Sequence, residues 1–134
     1  MTTTSPAEGR IAPEALHDLL LNFTGTEHYY RHPLARRVVW TDGVKAFADA
    51  VGGYWLLDIL ATELPRFVKT HGIVFIHVSV KGGKAMLSAY ETEGQPPSWQ
   101  RPIDYTDCPE GGWRFYMAAG GPQDTTVILL PSEY

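Results

Sequence analysis

The chain has 134 residues, 44% of them hydrophobic and 12% aromatic, with 19% charged and a formal net charge of −4. That length suits one ordinary domain, able to bury roughly two-thirds of the surface its unfolded form exposes, and the apolar content excludes intrinsic disorder. The negative balance argues against broad nucleic-acid binding, which needs a surplus of Lys and Arg on one face, but leaves room for a local basic patch.

Residues 1–12 are rich in Thr, Ser, Ala and Pro and lack the apolar stretch of a signal peptide, so they read as a frayed tail before a single domain over residues 13–134. From Pro13 to Leu21, Ala15, Leu16, Leu19 and Leu20 repeat at three- and four-residue spacing, which predicts a short amphipathic helix. The stretch Asn22 to Pro33 is punctuated like a loop but carries Phe23, Tyr29 and Tyr30. Arg36 to Thr41 reads as extended. Thr41 or Asp42 then offers an N-cap for a helix from Val44 to Val51, stopped by Gly52-Gly53. A second helix is expected from Tyr54 to about Leu64, ended or kinked by Pro65.

After Gly72 the period changes to two. Val74, Ile76, Val78 and Val80 alternate with Ile73, Phe75, His77 and Ser79, and Gly82-Gly83 predicts a hairpin into Ala85–Tyr90. Further strands are expected at Arg101–Thr106, Trp113–Ala118 and Val127–Leu130. Helices first and a meander second place the chain in the α+β class, with N-terminal helices on one face of a four- to five-stranded, mainly antiparallel sheet. Trp55, Leu56, Ile59, Leu60, Val74, Ile76, Val78 and Leu129 are expected in one core. Trp40, Trp99 and Trp113 fall near loops or strand ends, where aromatics often serve contact surfaces.

Four ordered blocks carry a resemblance. They are Phe23-Thr24-Gly25-Thr26-Glu27-His28-Tyr29-Tyr30-Arg31-His32; Thr41-Asp42-Gly43-Val44-Lys45 with Tyr54-Trp55-Leu56-Leu57-Asp58; Ile103-Asp104-Tyr105-Thr106-Asp107; and Leu129-Leu130-Pro131-Ser132-Glu133-Tyr134. Through them the chain resembles domain of unknown function 6876, with departures from that pattern between Pro65 and Val80 and between Pro109 and Thr126. The resemblance implies a small bacterial protein often carried on plasmids, phages and other mobile elements, with no assigned activity.

Glu27, His28, Arg31 and His32 put a carboxylate and two imidazoles within six residues, the chemistry of metal ligation or acid–base work, but without the spacing of a zincin. The other reading is a loop pinned by hydrogen bonds. The single cysteine, Cys108, lies between Asp107 and Pro109, where carboxylates raise a thiol's pKa, and none of the Gly-Gly pairs has the Lys-Ser or Lys-Thr of a phosphate loop. Charge is segregated along the chain: residues 27–45 are net basic and residues 85–134 net acidic.

The leading expectation is a non-enzymatic, cytoplasmic protein-binding module without metal or cofactor, in concrete form a mobile-element-encoded inhibitor of a host defence system of the anti-CRISPR kind. Its partner is expected to be another protein or a nucleoprotein complex. No membrane and no direct sequence-specific nucleic-acid binding are expected, and the oligomeric state, monomer or homodimer, is left open. The binding surface is expected on Tyr29, Tyr30, Arg31, His32, Arg36, Arg37 and Trp40, which combine aromatic area with guanidinium groups. Alternatives are a small hydrolase or transferase using His28, His32, Glu27 and Asp42, and a structural homodimeric module.

Overall fold

The computed structural model describes residues 11–134, so the expected tail lies almost wholly outside the described residues. Helix α1 (Pro13–Leu20) begins on a proline, which fits a first turn where no N–H partner is needed. Strand β1 (Tyr29–Arg31) and strand β2 (Val38–Thr41) follow, and helix α2 (Asp42–Val51) starts directly from β2, capped by the Thr41 hydroxyl and closed by Gly52 at φ 65°. Pro65 does not kink the next helix but divides it in two, ending α3 (Tyr54–Glu63) and opening α4 (Pro65–His71) at its N1 position.

The rest is sheet: β3 (Ile73–Lys81), β4 (Lys84–Tyr90), β5 (Trp99–Ile103), β6 (Gly111–Ala118) and β7 (Thr126–Leu129), with a 3-10 turn at Pro131–Glu133. Gly82 and Gly83, both at positive φ, make the two-residue turn of the β3–β4 hairpin. All seven strands form one sheet in the order β1-β2-β7-β6-β3-β4-β5, antiparallel except for the parallel β2–β7 pair. The α+β class stands, but the sheet is larger than the expected four to five strands. The three-residue β1 is too short to show a period, and β2 reaches its partner β7 across most of the chain. β5 also starts earlier than expected. The chain leaves the sheet after Ile103, and Thr106 N–H donates to the Gly83 carbonyl instead.

The alternation along each strand sorts side chains onto two faces. On one face Val38, Trp40, Val74, Ile76, Val78, Trp113, Phe115, Met117 and Ile128 join a single core with Leu16, Val44, Phe47, Leu56, Leu60 and Val68, so all four helices contribute to that side. The helices do not all rest on strands: α1 packs chiefly on α2. Two core expectations change. Trp55 and Ile59 are only half-buried at the edge of this core, and Leu129 points to the other face, into a small cluster with Val39 and Val127. The roles expected of the tryptophans are likewise exchanged. Trp113, stacked on His17 and donating to the Pro109 carbonyl, is 2% exposed, and Trp40 is buried too.

Candidate binding face

The segment Tyr29–Trp40 forms an edge strand, a tight loop and the adjoining strand, and its alternation splits the expected surface. Tyr30 and Trp40, paired in the β1–β2 ladder, lie on the helix side, whereas Arg31, opposite Val39, lies on the other. Trp40 is 6% exposed, with its ring edge-on to His32 and Tyr54, and its indole N–H has no hydrogen-bond acceptor among the described residues. His32 is buried and fully engaged. Its Nδ1 accepts from Leu34 N–H (3.1 Å) and Ala35 N–H (2.9 Å), so Nε2 carries the proton and donates to Asp58 Oδ1 at 2.8 Å. Neither His32 nor Trp40 is available to a partner.

Arg31 donates to the Arg36 carbonyl (2.6 Å) and to Gln123 Oε1 (3.0 Å), and Arg37 to the Asp124 carbonyl (3.2 Å). Gln123 and Asp124 both sit at positive φ, a conformation that non-glycine residues adopt only where the surroundings impose it, and the two arginines hold that turn. Tyr29, Arg31, Arg36 and Arg37 are all exposed, Arg31 and Arg37 while making these hydrogen bonds. The loop is therefore pinned in the way the histidine and arginine spacing also allowed.

The acid–base set does not assemble. His32 faces Asp58 on α3, away from Asp42, and Glu27 contributes its backbone rather than its carboxylate. Asp42 Oδ2 accepts from Glu27 N–H (2.9 Å) and His28 N–H (3.2 Å), and Oδ1 from the Tyr30 hydroxyl (3.1 Å), with His28 Nδ1 3.4 Å away. Those donors, the Glu27 N–H foremost, hold the Asp42 carboxyl down to about 2, which makes it a poor base. A second carboxylate does similar work beside it: Glu133 accepts from the Thr41 hydroxyl (2.6 Å), Leu130 N–H (2.9 Å) and Gly43 N–H (3.0 Å). A Cβ on Gly43 would come within 2.6 Å of Leu130 Cδ1 and 2.8 Å of Glu133 Oε1, so the glycine is what lets the 3-10 turn dock. Two of the four blocks that carried the resemblance, Thr41–Lys45 and Leu129–Tyr134, meet here as a structural joint.

Among the described residues no three of His, Cys, Asp and Glu converge as a metal site, and no helix is long and apolar enough to cross a membrane. Cys108 is buried, and burial pushes its thiol up to about 12.

What remains is the sheet face turned away from the helices. The registers align two rows across it: Tyr116, Phe75 and Tyr90 on β6, β3 and β4, then Arg114, His77 and Ser88, two residues further along the same strands, with Gln100 on β5 extending the second row. Phe75 and Tyr116 meet edge to face at 5.2 Å, and Tyr134 packs edge-on to Tyr116 at 5.4 Å. Between the rows lies a cavity of about 280 Å³, lined by Phe75, His77, Tyr90, Arg114 and Tyr116 and rimmed by Glu93, Gly94 and Pro131. Arg114 is exposed and makes no hydrogen bond or ion pair among the described residues. Burial, reinforced by the Arg114 charge, lowers the His77 pKa, so the imidazole is neutral at pH 7.

Following the registers over all seven strands, the charged side chains at positions facing this side are Arg31, Lys81, Lys84 and Arg114, and none of these positions holds Asp or Glu. The acidic residues of the second half occupy connections: Glu91, Glu93, Asp104, Asp107, Glu110 and Asp124 all lie between strands, and Glu133 in the 3-10 turn. Charge segregation along the sequence thus becomes segregation between strands and loops.

A model described as a family of unknown function, DUF6876, matches residues 14–134. The chain belongs to this family. No curated protein and no solved structure matches it. In this DUF6876 member, Phe75, His77, Arg114 and Tyr116 come from the two stretches where the sequence departs from the blocks of resemblance, so the resemblance carried no pointer to them. The alternation of β3 did separate Ile73, Phe75, His77, Ser79 and Lys81 from the core residues between them, but their types alone do not set that face apart from an ordinary solvated one.

Proposed function

We propose that the protein is a non-enzymatic binding module whose working surface is the helix-free face of the sheet and whose partner is anionic there. The observation that carries this reading is the charge of that face: four cations and no carboxylate at its strand positions, in a chain whose net charge is −4. Opposite charge speeds encounter and selects against basic partners, and the half-buried aromatic row supplies the apolar area that anchors interfaces. Of the segment first expected to bind, Tyr29 and Arg31 belong to the margin of this face, while His32 and Trp40 serve the fold. Another protein or a nucleoprotein complex is the partner class that the sequence suggests, and masking a host factor is the biological form that reading takes; the charge of the face supports a partner that is anionic where it meets the sheet.

The test is retention on immobilised polyanions, single-stranded DNA and polyglutamate, at low and rising salt. The parent protein should be held by at least one and released by salt, since contacts of this kind weaken linearly in log salt. The triple variant Lys81→Gln, Lys84→Gln, Arg114→Gln, folded to the same thermal midpoint, should pass through. Equal retention of the variant, or no retention of the parent on either resin, overturns the reading.

A further inference from the structure

The cavity on that face has the composition of a nucleotide site, and we infer that it grips one unit of a single-stranded nucleic acid laid across β6, β3 and β4. The inference rests on the reading of the face given above and names its ligand. Rings also anchor protein interfaces, but here three rings stand in one row across the strands and hydrogen-bonding side chains in the next, a spacing that suits a base and its phosphate. Tyr116, Phe75 and Tyr90 are half-buried, so their rings are fixed by neighbours yet keep area free for stacking. Every base offers a π-face, and stacking on aromatic side chains is the sequence-tolerant part of single-strand recognition.

The second row supplies the phosphate contacts. Two residues along a strand amount to about 6.6 Å, a distance of the same order as the reach from a base to its own phosphate. Arg114 has a fork of donors that no protein acceptor occupies among the described residues, the pairing a phosphate takes up bidentately. His77, neutral at pH 7, adds a donor without adding charge. It reaches its place because β6 has a glycine beside it: a Cβ on Gly112 would lie 2.8 Å from His77 Nε2. Gln100 continues the row, its amide donating to Ser88 Oγ at 3.1 Å.

Size and sign set the limits. At about 280 Å³ the cavity is at the small end of ligand sites, room for one base with its phosphate, so further nucleotides lie over the open face toward Lys81 and Lys84 or Arg31. Glu93 on the rim repels phosphate, which orients the strand with its phosphate at the Arg114 end.

The experiment is fluorescence anisotropy of a labelled eight-residue oligothymidylate with the whole chain at low salt, competed by thymidine monophosphate, by duplex DNA and by polyglutamate. We expect the oligomer to bind, with Arg114→Gln and Phe75→Leu each weakening it about tenfold and Glu93→Gln tightening it, at unchanged thermal midpoints. Leucine keeps the apolar volume at position 75, so its loss isolates stacking from folding. The nucleotide assignment is overturned if polyglutamate is retained on the face but the oligomer is not, an outcome that leaves the anionic-partner reading intact. It is also overturned if Phe75→Leu binds as well as the parent or if duplex DNA binds more tightly. Displacement by an equal concentration of the mononucleotide overturns the strand and leaves a free-nucleotide pocket. Failure of every polyanion overturns both readings together.

Discussion

His32 and Asp42 each hold a loop by accepting backbone N–H groups, and each has its own measurable signature. Replacing His32 by Ala leaves the Leu34 and Ala35 N–H groups without their acceptor in a buried site, so we expect a loss of about 1–3 kcal/mol in urea unfolding, with little change in the binding of an anionic probe. A contact role for His32 would give the reverse pattern. Asp42 acts through its lowered pKa. A carboxyl that titrates near 2 in the folded chain and near 4 when unfolded contributes stability that is fully present above pH 4 and is lost as the pH falls from about 4 to 2. Asp42→Asn should therefore be less stable than the parent at pH 7, and the gap should close between pH 4 and 2. Two parallel stability curves across that window would refute the assignment. The sequence offered a loop pinned by hydrogen bonds beside the acid–base set, so this role was one of two readings; which backbone N–H groups His32 and Asp42 would accept could not be read from residue type, because the donors come from positions the chain brings together only on folding.

At the scale of elements, α1, α2, α3 and the β3–β4 hairpin were legible because each carries a clear period or a strong turn signal, such as Thr41 before α2 or Gly82-Gly83, whereas α4 was not expected as a helix of its own. β1 was not, since three residues at a sheet edge show no alternation. The tryptophans were misjudged for a related reason: proximity to a strand end says nothing about which face a residue takes, and one step of alternation separates Trp113 in the core from Arg114 outside. Trp113→Ala should cost about 3–5 kcal/mol, whereas Trp55→Ala, at a half-buried position, should cost less; thermal or urea unfolding of the pair decides, and the opposite order would return Trp55 to the centre of the core. Gly112→Ala offers a cleaner test of the second row. The new methyl meets only the end of the His77 ring, so stability should hold while His77 is displaced and anion binding weakens; unchanged binding would remove His77 from the site.

For the whole molecule the decisive quantity is where charge falls in space rather than along the chain. The net of −4 argued against nucleic-acid binding, and the basic 27–45 segment drew attention to the first half, but four of the five strand cations fall on one face, Arg101 alone facing the helices, while the connections collect the carboxylates. Pairing order made that arrangement invisible beforehand, because Arg31, Lys84 and Arg114 come from strands far apart in sequence. The most direct measurement is an amide chemical-shift map of the isotope-labelled chain titrated with oligothymidylate. Shifts concentrated on β3, β4 and β6 around Phe75, His77, Tyr90, Arg114 and Tyr116, and abolished by Arg114→Gln, are what the assignment of this face predicts. Shifts confined to the Asn22–Tyr30 loop and the start of α2, or no saturable shifts with any polyanion, would contradict it.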